Sequence, residues 1–164
     1  NQNQNFGAKS ALYRFRLYGA KNILIAAKEG KTFLGPHERF VVYEPDLAAS
    51  RRVPVRATLE FGSISWTAPD QEKPRILVTN KEFSNDPSGK VRAELHNEGL
   101  FAVHNISVAA VLLDTDGNAM GISVSRLERL EGEEKKDVFF TWRHSFVPPP
   151  DAIEIFWRVN RFQK

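Results

Sequence analysis

The run Asp114-Thr115-Asp116-Gly117-Asn118 sets side-chain oxygens at alternate positions, the way an acidic loop wraps a hard cation. Its spacing does not continue as a calcium loop. With Asp114 first, the sixth place holds Ala119 where glycine is needed, and the twelfth holds Ser125 where glutamate is needed. A tight hairpin built on Asp-Gly between two alternating apolar runs accounts for the same residues without a metal. His37, His96, His104 and His144 fall at no metal-ligand spacing. Serine, histidine and aspartate are present, but there is no Gly-x-Ser-x-Gly elbow and no glycine-rich phosphate loop. Glu128, Glu131, Glu133 and Glu134, with Lys135 and Lys136, read as a solvated turn, because nothing in their spacing sets the carboxylate separation that glycoside hydrolysis needs. The absence of cysteine removes thiol nucleophiles, thiolate metal sites and disulfides together. The expectation is a non-enzyme with no catalytic residues, no cofactor and no metal.

Aromatic side chains carry more information than the polar ones. Phe139 and Phe156 lie on the register opposite to Val138, Phe140 and Trp142 and to Ile153, Ile155 and Trp157. They point away from the inferred core and could form a patch, packed against other parts of the chain or open to a partner. Trp66 and Phe139 are the candidates for stacking on a sugar ring, so carbohydrate is the alternative ligand class. Phe15 and Leu59 mark a second candidate interface, for the reason given below.

The elements that position these residues are strands. Apolar residues at every second position recur in Val91-Ala93-Leu95, Ile106-Val108-Ala110-Leu112, Met120-Ile122-Val124, Val138-Phe140-Trp142 and Ile153-Ile155-Trp157-Val159. Turns fall between them at Asn97-Glu98-Gly99, Asp114 to Asn118, Glu131-Gly132-Glu133 and Pro148-Pro149-Pro150. Earlier in the chain, strands are expected at Leu12–Leu17, Ile23–Ala26, a short Phe33-Leu34, Phe40–Tyr43 and Val53–Phe61, the last at an edge or begun after Pro54. Asp46 to Arg52 reads as a polar connection. One helical turn is the most that Ser125–Lys136 could hold. The expected organisation is a flexible polar leader over 1–11, a first partial unit over 12–66, a linker over 67–74 and a complete unit over 75–164. The fold class is all-β.

The two units match each other at a constant offset, without a gap. Asn22 falls on Asn118 (118 − 22 = 96), Leu34 on Leu130 (130 − 34 = 96), and Leu59-Glu60-Phe61 on Ile155-Phe156-Trp157. This spacing predicts a duplication in which the first copy lacks about two strands ahead of its first turn. A sheet left open in this way exposes core side chains and unpaired backbone around Phe15 and Leu59. An upstream segment, the polar leader or a strand from a neighbouring molecule could complete it.

Val-Arg-Ala-Glu-Leu-His-Asn-Glu-Gly from Val91, Val-Ala-Ala-Val-Leu-Leu-Asp-Thr-Asp-Gly-Asn from Val108, and Leu-Glu-Gly-Glu-Glu from Leu130 resemble the bacterial immunoglobulin-like modules typified by the FxLYD and CARDB families. Glu131 stands where those modules carry proline, and Leu113-Asp114 stands where they carry Tyr-Asp. The resemblance covers roughly the last ninety residues and implies two tandem immunoglobulin-like, fibronectin III-like, antiparallel β-sandwich units. It further implies a bacterial protein outside the cytoplasm, secreted or at the cell surface, serving structure, adhesion or assembly through a protein partner or self-association.

Composition agrees with such a role and argues against others. Lys and Arg number 23 against 20 Asp and Glu, with the signs interspersed, which is surface solvation and not a nucleic-acid footprint. No apolar run reaches the length of a membrane span, so contact with a membrane is expected only through an anchor outside this chain. The start at Asn1, with no leader pattern, suggests a piece of something longer.

Overall fold

A computed structural model describes residues 1–162 apart from 46, 48 and 50. Of the connection expected at 46–52, those three residues lie outside the description, as do Gln163 and Lys164 of the expected second unit. The described chain is all-β, with nine strands, and every strand pairing in its sheets is antiparallel. It forms two compact units, Asn1–Glu72 with Asn160–Lys164, and Lys73–Val159.

The second unit holds β4 (Ile76–Ser84), β5 (Lys90–Asn97), β6 (Val103–Leu113), β7 (Ala119–Leu130), β8 (Lys135–Thr141) and β9 (Ala152–Arg158). Two sheets, ordered β4-β5-β8 and β7-β6-β9, share one core, a sandwich-like arrangement. Val91, Ala93, Leu95, Val138 and Phe140 come from the first sheet, and Ile106, Val108, Ala110, Leu112 and Leu130 from the second. Alternation therefore does what period-2 patterning predicts. It sends one face of each strand inward, and all ten of these residues are buried. Ser125–Lys136 holds no helical turn: β7 runs on to Leu130, and Glu131–Glu134 turns the chain into β8.

The first unit contains β1 (Ala8–Tyr18), a short 3₁₀ turn at Ala20–Asn22, β2 (Leu24–Leu34) and β3 (Arg56–Phe61) in one sheet ordered β2-β1-β3. β3 starts beyond Pro54 and lies at an edge, where a residue without an N–H does no harm to the ladder. The strands expected at Ile23–Ala26 and Phe33-Leu34 are one, β2, which runs through Gly30. Gly30 sits mid-strand opposite Tyr13, and the tyrosine ring lies where a Cβ on that glycine would be. Phe40–Tyr43, expected as a strand, joins no sheet.

The ends of the chain also differ from the expected boundaries. β1 begins at Ala8, and Ala8 and Ala11 are fully buried against Leu34, so the 1–11 segment is not a separate leader. Asn1 Nδ2 donates to the carbonyl oxygens of Phe6 and Gly35, and Asn3 Oδ1 accepts from the backbone N–H groups of Asn5 and Phe6. These short amide side chains tie the segment down through hydrogen bonds, three of them local and one to Gly35, that leave no apolar periodicity to read. At the other end, the Arg161 carbonyl accepts from the N–H groups of Asp70 and Gln71, and Phe162 is buried against Gly7, within the first unit.

Candidate functional site

The internal match is closer in the ladders than in the letters. The pairs Ala11↔Thr32, Tyr13↔Gly30, Phe15↔Lys28 and Leu17↔Ala26 become, 95 residues on (106 − 11 = 95), Ile106↔Leu127, Val108↔Ser125, Ala110↔Ser123 and Leu112↔Gly121. Both hairpins carry a register shift at their turn end, between Leu17 and Tyr18 and between Leu112 and Leu113. Beyond the hairpin the offset becomes 96 (155 − 59 = 96): Phe15↔Leu59 answers to Ala110↔Ile155. The gapless offset expected from the sequence is thus one residue out across the first hairpin.

The turn leaving each hairpin is also repeated. Gly35 N–H donates to Glu38 Oε2 at 2.7 Å and Glu131 N–H to Glu134 Oε2 at 2.6 Å, with His37 and Glu133 both left-handed at φ 47° and 60°. A glutamate three residues after the donor closes the same small ring in both places.

What lies over the two sheets differs. β7-β6-β9 is covered by β4-β5-β8. For β2-β1-β3, the described residues of the first unit supply no second sheet. Its apolar face, Tyr13, Phe15, Leu17, Ala26, Ala57, Leu59 and Phe61, is partly open, with Leu59 41% and Phe61 38% exposed. Its other face carries the cross-strand ion pairs Arg14–Glu29 and Arg16–Glu60, as a solvated face does.

One corner of the apolar face is closed by polar chemistry. Glu44 accepts a hydrogen bond from the Tyr13 hydroxyl and pairs with Lys28 Nζ at 2.8 Å, while Lys28 also donates to the Pro45 carbonyl at 3.0 Å. Burial, then the bond to Glu44 and that residue's charge, push the Tyr13 phenol from its ordinary 10.0 up to about 12. The Lys28 bond, followed by the Tyr13 bond, holds the Glu44 carboxyl below the usual carboxylate range.

The signs are opposite at the two ends of the pH scale. A lowered carboxyl stabilises above its unfolded value and stops doing so as acid protonates it. A raised phenol stabilises below pH 10 and loses this as pH climbs through about 12. The first unit is therefore expected to open at both extremes. Ultraviolet titration of the phenolates should lose its step near 12 in Tyr13→Phe, and hydrogen exchange at 40–45 should rise below the carboxylate range in wild type. An unchanged titration in Tyr13→Phe would remove the assignment.

Of the expected interface residues, the fold brings Phe15 and Leu59 together as direct cross-strand neighbours. Trp66 is 49% exposed beside the Gly7–Thr67 bridge, away from the β1 and β3 ladder. Phe139 and Phe156 do not form one patch. They belong to β8 and β9, in different sheets, and outward positions on two sheets sharing a core face opposite ways. Phe139 is 63% exposed, opposite Arg92, and Phe156 is half-buried opposite Ala109.

Sequence reasoning missed Tyr13, Lys28 and Glu44 as a group, since each reads as an ordinary strand or loop residue. The one available signal was the glutamate in the otherwise apolar 40–44 run. The Asp114 hairpin is as expected. Its Oδ1 accepts from the N–H groups of Asp116 and Asn118, at 3.0 and 2.7 Å, so its oxygen serves the turn. Among the described residues no three of His, Asp and Glu converge as metal ligands, and no helix is long and apolar enough to cross a membrane. No protein-family model matches the chain, and no curated protein or solved structure is found to be similar to it.

Proposed function

We propose that the chain is a non-enzymatic structural and assembly module working outside the cytoplasm, in a secreted or surface-attached bacterial protein. On this reading it comprises two tandem immunoglobulin-like units, the first incomplete and finished by contact with other polypeptide. The observation that carries it is the ladder repeated pair for pair, from Ala11–Leu17 to Ile106–Leu112, with a covering sheet over the second and none over the first among the described residues. An apolar sheet face left to water is unfavourable by about 25 cal/mol for each Å² exposed, and natural sheets cover, charge or pair such surfaces. The resemblance of 91–142 to bacterial surface modules supports the placement outside the cytoplasm.

A photo-crosslinking residue placed at Leu59 should yield a protein adduct in the cell envelope. The same residue at Leu77, 47% exposed on β4, should not. Equal labelling from both positions, or none from Leu59, would overturn the reading.

A second reading has its own observation. A cleft of about 260 Å³ is lined by Arg14, Glu29 and Glu60 beside Leu12, with Tyr13 and Phe61 at the same place in the chain's ladders, and its charged groups are suited to the hydroxyls of a sugar. It does not use Trp66 or Phe139. Saccharide titration read at Phe61 by NMR tests it, and silence across mono- and disaccharides would dismiss it.

A further inference from the structure

The second unit shows what fits a sheet of this kind. There the β4–β5 hairpin, with β8 beside it, covers β7-β6-β9 through Val91, Ala93, Leu95, Val138 and Phe140. Subtracting the offset of 96 from β8 (135 − 96 = 39; 141 − 96 = 45) places its counterpart at residues 39–45. That segment leaves the matching turn at Gly35–Glu38, lays Phe40 against Ala8, Ala11 and Leu34, and brings Glu44 to Tyr13. It follows the course of a β8 yet belongs to no sheet, because β8 is held by β5 and no counterpart of β5 is present among the described residues. The exposed side chains, Leu59, Phe61, Tyr43, Val53 and Val55, are those a missing hairpin would cover.

We propose that this face is a docking site for a β-hairpin of acidic character donated by a separate protein, which pairs with Val41–Tyr43 and converts that segment into a strand. The proposal rests on the assembly reading above and names its partner class. Charge selects the partner. The first unit carries 12 Lys and Arg against 7 Asp and Glu, a net +5, and the second carries 11 against 13, a net −2. The stretch Arg51-Arg52-Val53-Pro54-Val55-Arg56 leads into β3 with its arginines and valines exposed, and Val55 N–H is fixed to the Tyr18 carbonyl at 2.8 Å. A hairpin with apolar residues inward and carboxylates along the edge that runs beside Arg51 and Arg52 meets both features. A second copy of this chain meets neither. Face to face it opposes like charge to like, and its own hairpin is committed to a core in which Val91, Ala93 and Leu95 are at most 1% exposed.

The probe is a synthetic peptide of residues 76–97, this chain's own β4–β5 hairpin, titrated into the intact chain and followed by amide NMR. Expected are shifts and new exchange protection at 41–43 and along β1 and β3, with at least tenfold weaker binding in Leu59→Lys. A peptide carrying Lys90→Glu and Arg92→Glu, both on the outward face of the hairpin, should bind more tightly, and that advantage should fade in high salt. A peptide with Val91, Ala93 and Leu95 all changed to serine should not bind. No response on this face to either hairpin, or tighter binding of the unmodified one, overturns the proposal. So does a chain that is already dimeric in light scattering and becomes monomeric on Leu59→Lys, since the occupant is then a second copy. Failure of the peptides while Leu59 still crosslinks in cells removes the hairpin alone; loss of both removes the assembly reading as well.

Discussion

Phe140→Ala is expected to lower the stability of the second unit by about 3–5 kcal/mol, the usual range for emptying a buried phenylalanine site. Phe140 is the largest of the fully buried side chains and sits on β8 opposite Val91 of β5, inside the core that both sheets build. A loss of that size is a large part of the ~5–15 kcal/mol that holds an ordinary domain together. Denaturant unfolding followed by the fluorescence of Trp142 and Trp157 measures it, and a shift below about 1 kcal/mol would mean that the two sheets do not share a tightly packed core. Leu59→Ala in the first unit is the informative contrast. Leu59 is 41% exposed on a sheet that no second sheet covers among the described residues, so its truncation should cost under about 1 kcal/mol. The residue aligned with Phe140 at the 96 offset is Glu44 (140 − 96 = 44), which closes its corner with hydrogen bonds to Tyr13 and Lys28 instead of apolar volume.

Asn97→Ala is expected to cost roughly 3 kcal/mol, because the fully buried Asn97 amide loses its donated and accepted hydrogen bonds at about 1 kcal/mol each. Asn97 ends β5 with no exposed surface. Its Nδ2 donates to the carbonyls of Phe101, Leu130 and Glu131, at 2.9, 3.4 and 2.8 Å, and its Oδ1 accepts from Gly99 N–H at 3.0 Å. One side chain thereby joins the end of β5, the loop into β6 and the turn out of β7. The same closure brings Gly132 so near Leu100 that a Cβ there would collide with the Leu100 carbonyl. Asn97→Asp separates the two halves of the amide. It keeps the acceptor for Gly99 and removes every donor, so it should cost at least as much as alanine in urea unfolding. A neutral Asn97→Asp would show that the donated bonds contribute nothing.

Much of the second unit could be read before folding was considered. Val91, Ala93 and Leu95, or Ile106 through Leu112, alternate because a strand turns successive side chains to opposite faces. A buried face then selects apolar residues at every second place. The Asp114 and Glu131 turns are equally local, since their hydrogen bonds close within four residues of sequence. Periodicity and turn chemistry are properties of short stretches, so the chain order displays them.

The first unit was less legible for the same reason. Phe40-Val41-Val42-Tyr43 has the composition of a strand and is not one, because a strand needs a neighbour and the local letters do not say whether one exists. Phe139 and Phe156 were each read correctly as outward, yet whether two outward residues meet depends on which sheet each strand joins. Tyr13, Lys28 and Glu44 lie on three segments and acquire a common role only when the β1–β2 ladder and the 39–45 crossing bring them within hydrogen-bond reach. The sequence by itself determined the all-β class, the strands of the second unit and its hairpin turns, since each is written in neighbouring residues. Only the tertiary structure decided which sheet is covered and which apolar face is left open, because coverage depends on pairings between segments far apart in the chain.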